Sequence, residues 1–233
     1  SPGYLDFLAE AKAALHVCDC AVVVVNATEG AEVGTTQVVE WANEKNLAKF
    51  VALNGIDKEH VNFDTALAGL RETLGSAVTP LTVPVNAGPG FNQVLDVLTK
   101  EVVTYETDGM GKSSAAPADG DLAEQVESMH AELIEAVAAA DDALMEKFFE
   151  EGSLSDDELK TGLGAALLSG ELIPLFATSG TTNVGVSRML DFAAKFGIAP
   201  TDRGPVPAKK SDDSEIEVGI DGSDTVLLIF KTI

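Results

Sequence analysis

"CAVVVVNATEGAEVGTTQVVEWANEKNLAKFVALNGID", residues 20–57, decides the fold. Its opening, "CAVVVVNA" (20–27), is an unbroken run of small and β-branched apolar residues, the pattern of a parallel strand buried on both faces. "TTQVVEWANEKN" (35–46) reads as an amphipathic helix, and "AKFVALNG" (48–55) as a second buried strand. Strand, helix and strand in this order predict a βαβ unit and therefore a parallel sheet. The stretch closes on "NGID" (54–57), which puts Asn54 and Asp57 at the carboxyl end of a buried strand. That edge is where open α/β sheets bind ligands.

Working outward, "DFLAEAKAALH" (6–16) has apolar residues at helical spacing, and "NFDTALAGLRETLGS" (62–76) is a helix with Asp64 near its start and Gly75 past its end. Residues 77–106 are rich in Pro, Gly and β-formers and predict strands with a hairpin; 107–121 have the composition of a flexible loop. A long helix follows from 122, its apolar residues Leu122, Val126, Met129, Leu133, Ile134 and Val137 three or four apart. Asp141 and Asp142 start another helix. "SDDELKTGLGAALLSG" (155–170) carries a capping box, Ser155 with Glu158, and closes on Gly170. "LIPLFATSG" (172–180) is a further buried strand and "VSRMLDFAAKFG" (186–197) a helix; 198–215 read as a linker, and "DTVLLIFKTI" (224–233) as the first strand of an all-β unit. The predicted fold is an α/β doubly wound sheet interrupted by an α+β insertion and followed by the start of a β-barrel. In residues, it divides into 1–81, an insertion over 82–170, a resumed core over 171–200, and a linker with the barrel strand over 201–233.

Composition narrows the function. The 233 residues are 45% hydrophobic, enough for a proper core, but only 6% aromatic, so that core must be mainly Ala, Val and Leu. A formal charge of −23 excludes a grip on phosphate backbones and hence direct DNA binding. Cys18 and Cys20 flank an apolar run and read as core and strand-edge thiols, while His16, His60 and His130 form no ligand-spaced cluster, so no metal held by His or Cys is expected. No apolar stretch reaches the roughly 18–20 residues of a membrane span, and no signal peptide is apparent, which predicts a soluble, cytoplasmic protein without membrane partners. The chain opens on "SPGYLDF" with no strand before it, as a piece of a longer protein would.

Three loops can carry chemistry: "SPGY" (1–4), "NGID" (54–57) and "TSGTTN" (178–183). A carboxylate at Asp57 can accept two hydrogen bonds from a guanine edge, N1–H and the exocyclic amine, and backbone N–H groups of the Ser179–Gly180 turn can donate to the base oxygen. Adenine presents the opposite pattern and would leave these groups unpaired. Singly, Asn-Gly is a common turn and Ser-Gly-Thr a generic loop; their order and their attachment to the right elements give them meaning. "GMGKSS" (109–114) ends like the phosphate-binding pattern G-x-x-x-x-G-K-[ST], but position 106 is Glu rather than Gly, and no good helix follows. The sequence holds no phosphate cradle.

Together these stretches resemble the translational GTPases, and elongation factor G within them. "SPGYLDF" through "NGID" is similar to that family's run from Asp-Thr-Pro-Gly-His-Val-Asp-Phe to Asn-Lys-Met-Asp; "ELIEAVAAADDALMEKFFEEGSLSDDELKTGLGAALLSGELIPLFATSG" is similar to the end of its inserted subdomain and the return to the core. The resemblance assigns Gly3 to the γ-phosphate contact, Asn54 and Asp57 to guanine specificity, and Ser179 and Gly180 to the loop over the base. Tyr4 stands where the family has the His that orients the attacking water, and Gly55 replaces the Lys whose stem covers the base. The Mg²⁺-holding Asp, the P-loop and the first switch would precede Ser1. The implied activity is GTP hydrolysis on the ribosome by the intact protein, driving translocation, with GTP or GDP and Mg²⁺ as cofactors and the ribosome with its stalk proteins as partner. This stretch alone, with base contacts only, is expected to be inactive and to bind no nucleotide. The alternative is a GTPase-like module that docks on ribosomes without hydrolysis.

Overall fold

The computed structural model describes residues 5–219 and 226–230. Its strands, in chain order, are β1 (Cys20–Asn26), β2 (Ala48–Asn54), β3 (Val78–Pro84), β4 (Gln93–Asp96), β5 (Glu101–Tyr105), β6 (Ser113–Pro117), β7 (Ile173–Thr178), β8 (Val206–Lys209) and β9 (Glu215–Val218). Its helices are α1 (Leu8–Leu15), α2 (Val33–Glu44), α3 (Phe63–Leu74), α4 (Gly120–Ala138), α5 (Asp142–Glu151), α6 (Asp156–Ser169) and α7 (Val186–Phe196). Seven strands make one sheet in the order β1-β2-β7-β3-β4-β5-β6. The first four of that order run parallel, and β4, β5 and β6 extend the sheet antiparallel. The sheet is mixed because β3 and β7 belong to the parallel core, whereas β4–β6, which lie between them in sequence, extend it at one edge.

Alternation along the strands splits the core into two faces. Val51, Leu53, Leu175 and Ala177 point to the face covered by Val39 of α2, Leu70 of α3 and Val126 of α4. Phe50 and Phe176 point the other way, onto Leu163 and Leu167 of α6 and Phe192 of α7. That second face holds an aromatic cluster: the Phe176 and Phe192 rings lie 5.3 Å apart, with Phe50 at 6.1 Å from each. Both faces are built mainly of Ala, Val and Leu, as expected, with Phe63, Phe91 and Tyr105 added on the first and this cluster of three rings on the second.

Three sequence expectations are corrected. First, β1 is half-buried rather than buried on both faces: Val23 and Val25 are buried, but Val22 and Val24 are 47% and 65% exposed. β1 lies at the sheet edge, and the helices of the second face pack on β2, β7 and β3 instead. Second, the stretch read as a loop over 107–121 contains β6, whose short Ser and Ala side chains are all exposed and so leave no hydrophobic period to read. Third, the linker of 198–215 holds a 3₁₀ turn at Pro200–Arg203 and β8, paired with β9 as a hairpin. The proposed barrel strand lies partly outside the described residues, and residues 226–230 are in no strand.

Local chemistry fixes the element ends. Asn62 caps α3 by accepting from Thr65 N at 2.9 Å, and Asp141 caps α5. Pro80 interrupts the ladder of β3, and the register against β7 shifts between Pro80 and Thr82. The Thr82 hydroxyl then accepts from Ala177 N at 2.9 Å, satisfying a buried donor at the break. Cys18 and Cys20 are free and partly buried, and burial pushes both thiols up.

The capping box on α6 joins it to α5. Glu158 accepts from Lys147 Nζ at 2.5 Å and from Ser155 N and Oγ at 2.9 and 2.5 Å. These hydrogen bonds, Lys147 first, hold its carboxyl down to about 2, from a usual value of 4.5. A depressed carboxyl contributes stability that is present above its unfolded pKa and lost as pH falls through the folded one. Thermal melts of Glu158→Gln should therefore lie below wild type at neutral pH, with the gap closing between pH 4.5 and about 2. A gap that does not change with pH would contradict this coupling of α5 to α6.

Candidate functional site

Parallel pairing sets three strand ends level. Asn26 pairs Asn54 across β1 and β2, and Asn54 pairs Thr178 across β2 and β7. The loops after β2 and β7 are then stitched together. Gly180 N donates to Asn54 Oδ1 at 2.8 Å, and Gly55 N and Ile56 N both donate to Thr178 O, at 3.0 and 3.2 Å. Because Asn54 accepts from Gly180, its oxygen is fixed toward that loop, and its Nδ2 is left without a partner among the described residues.

The loop after β7 is closed on itself. Ser179 is fully buried and exchanges backbone hydrogen bonds with Val184 at 2.9 and 3.2 Å, while its Oγ accepts from Thr182 N at 3.2 Å. Both N–H groups of the Ser179–Gly180 turn, expected to face a base oxygen, are thus engaged within the chain: Ser179 with Val184, Gly180 with Asn54. Gly185, at φ +77°, ends the loop and begins α7; a Cβ there would sit 2.1 Å from Ala177 O. The tip of the β5–β6 hairpin rests against the same loop, with Gly111 so close to Asn183 that a Cβ would meet its amide at 2.7 Å. Behind it, Arg188 of α7 lies 3.7 Å from both Asp96 and Glu101, and Tyr105 Oη 2.9 Å from Ser187 Oγ, pinning α7 to the added strands. Burial pushes the Asp96 carboxyl up, against the pull of its Thr99 N–H bond and of Arg188.

Asp57 is the unusual group. Its side chain is 13% exposed, Oδ2 lies 3.6 Å from Lys58 Nζ, and Oδ1 is buried with no hydrogen-bond partner among the described residues. Thr182 Oγ1, in the neighbouring loop, is the second such atom. An unpaired buried acceptor costs about 1–3 kcal/mol, more when charged, and asks for an explanation. A groove of about 810 Å³ lies between α6, α7 and the β3–β4 strands, but none of its lining residues belongs to these loops.

Residues 1–197 match the family model described as "Elongation factor Tu GTP binding domain". The chain belongs to the translational GTPases. Within them it is elongation factor G-like. It is similar to the crystal structure of a protein from Thermus thermophilus, with 30% identity and a TM-score of 0.78 over 89% of this chain and 31% of that one. The chain therefore spans about a third of the length of that relative.

For this translational GTPase domain, the residues present fit a guanine base: an orphaned carboxylate oxygen, an Asn amide with a free donor, and two loops tied edge to edge. No group of three His, Cys, Asp or Glu able to hold a metal occurs among the described residues. Gly3 and Tyr4 lie outside the described residues. Sequence reasoning missed Asn26, which accepts from Thr28 N and Oγ1 at 3.0 and 2.9 Å and lies 3.8 Å from a Cβ built on Gly55. The signal was available, since Asn26 ends its apolar run just as Asn54 does.

Gly185 holds the loop to β7, so Gly185→Ala should destabilise the protein by about 2–4 kcal/mol in denaturant unfolding. Gly111→Ala should cost less, because the Asn183 amide it meets can swing away. Equal and negligible effects would show that loop 179–185 is not held as described.

Proposed function

We propose that this chain supplies the guanine-reading part of a longer translational GTPase, which binds GTP with Mg²⁺ and hydrolyses it on the ribosome to drive translocation. The observation that carries this reading is the unpaired buried Oδ1 of Asp57 beside the Asn54–Gly180 tie. A guanine edge brings two parallel donors, N1–H and the 2-amine, which suit the two oxygens of one carboxylate. The free Nδ2 of Asn54 is a donor for the purine's acceptor side. Mg²⁺, when bound, neutralises charge on the phosphates during transfer. Asn54 and Asp57 orient the base, and Ser179 and Gly180 shape the loop that holds Asn54 in place.

Tyr4 is the residue that favours a second reading, a ribosome-docking module without turnover. A phenol of pKa about 10 does not take a proton at neutral pH, although it can hydrogen-bond a water. The first reading is preferred because the base-reading groups are kept, which a module that had lost its nucleotide would not need. The ribosomal stalk is the proposed protein contact of the insertion. Residues 119–158 carry fourteen Asp and Glu against the single Lys147, which repels RNA, and Phe149 among them is 79% exposed, an apolar anchor for a basic partner. The cytoplasm is the proposed location; no helix among the described residues is long and apolar enough to cross a membrane.

The test is nucleotide turnover by the complete protein, with and without ribosomes. Ribosome-stimulated GTP hydrolysis, cut about a hundredfold or more at subsaturating GTP by Asp57→Ala, is expected. Asp57→Asn should move the preference to xanthosine triphosphate, because an Asn amide accepts from N1–H and donates to the C2 carbonyl of xanthine. Ribosome binding without turnover would select the docking module instead.

A further inference from the structure

Gly55 leaves one side of the "NGID" turn without a side chain, and Lys58 fills it. A Cβ built on Gly55 would lie 3.6 Å from Lys58 Cγ, ordinary van der Waals contact, so the lysine stem already occupies the space beside that glycine. The backbone beneath is held on both sides. Lys58 N donates to Gly55 O at 3.0 Å, and Gly88 N donates to Ile56 O at 2.7 Å, with Gly88 packed near Lys58 O. At its far end, Lys58 Nζ lies 3.6 Å from Asp57 Oδ2. The side chain therefore folds back across the turn, with its methylenes along Gly55 and its ammonium at the carboxylate.

We infer that Lys58 is a base-positioning residue: its stem forms the apolar wall against which the face of a guanine rests, and its ammonium tethers that stem to Asp57. This rests on the reading of Asp57 as the guanine acceptor. The tether leaves Asp57 Oδ1 free, so the wall and an open acceptor coexist before the base arrives. An ion pair whose cation stands in solvent contributes little by itself; its use here is to choose one rotamer of a flexible chain, which lowers the ordering cost when the base binds.

The distinguishing feature is that the wall acts on the base and not on the phosphates. In the complete protein, Lys58→Ala should weaken guanosine, GDP and GTP by the same factor, about three- to tenfold, as expected for one or two methylenes of lost contact. Lys58→Met keeps an apolar stem without charge and should restore affinity to within about twofold of wild type. The experiment is calorimetric titration of both variants, wild type and Asp57→Ala with all three ligands at two salt concentrations. If Lys58→Met is as weak as Lys58→Ala and GTP suffers more than guanosine, the lysine acts through charge and the inference is overturned. Unchanged binding in Lys58→Ala overturns it too. Unchanged binding in Asp57→Ala instead removes the guanine reading on which it stands.

Discussion

A single hydrogen bond, Gly180 N–H to Asn54 Oδ1 at 2.8 Å, joins two loops 126 residues apart in the chain. It is possible only because β2 and β7 pair in parallel and in register, which sets Asn54 level with Thr178. One residue of slip would turn every side chain of β7 to the opposite face and bury the wrong set. The two-sided core resists that slip: Leu175 and Ala177 pack under one layer of helices while Phe176 packs under the other. The site is thus positioned by the core, and the loops need only short hydrogen bonds to complete it.

Against that rigid frame, Asp57 Oδ1 is an exception that the fold tolerates. Native structures pair nearly all buried polar atoms, and this chain pairs most of its other buried polar groups with care. Thr82 covers the break at Pro80, Ser179 closes its loop, and Asp96 takes two backbone N–H groups and faces Arg188. On the proposed reading, the orphaned carboxylate oxygen beside two tied loops is one half of a hydrogen bond whose other half is brought by a ligand. The sparing use of Asn54, with its oxygen engaged and its amide free, has the same character.

Much of this is legible in the sequence, for reasons that can be assigned residue by residue. The runs 48–55 and 172–180 read as buried strands because both of their faces are covered, and caps such as Ser155 with Glu158 announce helix starts by side-chain chemistry alone. β1 misleads because four consecutive valines carry no alternation, so composition cannot reveal that Val22 and Val24 face outward. β6 escapes notice because Ser and Ala on an exposed strand leave no period. At the site, Asn54, Asp57, Ser179 and Gly180 stand out from their place after strands. That the N–H groups of Ser179 and Gly180 are already engaged, and that Lys58 folds over Gly55, depend on contacts no one-dimensional pattern contains.

The most direct test of the central claim compares the affinities of the complete protein for GDP, inosine diphosphate and ADP. Inosine keeps N1–H but lacks the 2-amine, so it removes one of the two donors assigned to Asp57 and nothing else. The account predicts inosine diphosphate about tenfold or more weaker than GDP, and ADP weaker still, since adenine leaves the carboxylate unpaired. Equal affinity for GDP and inosine diphosphate, or competition by ADP, would mean that Asp57 does not read the base.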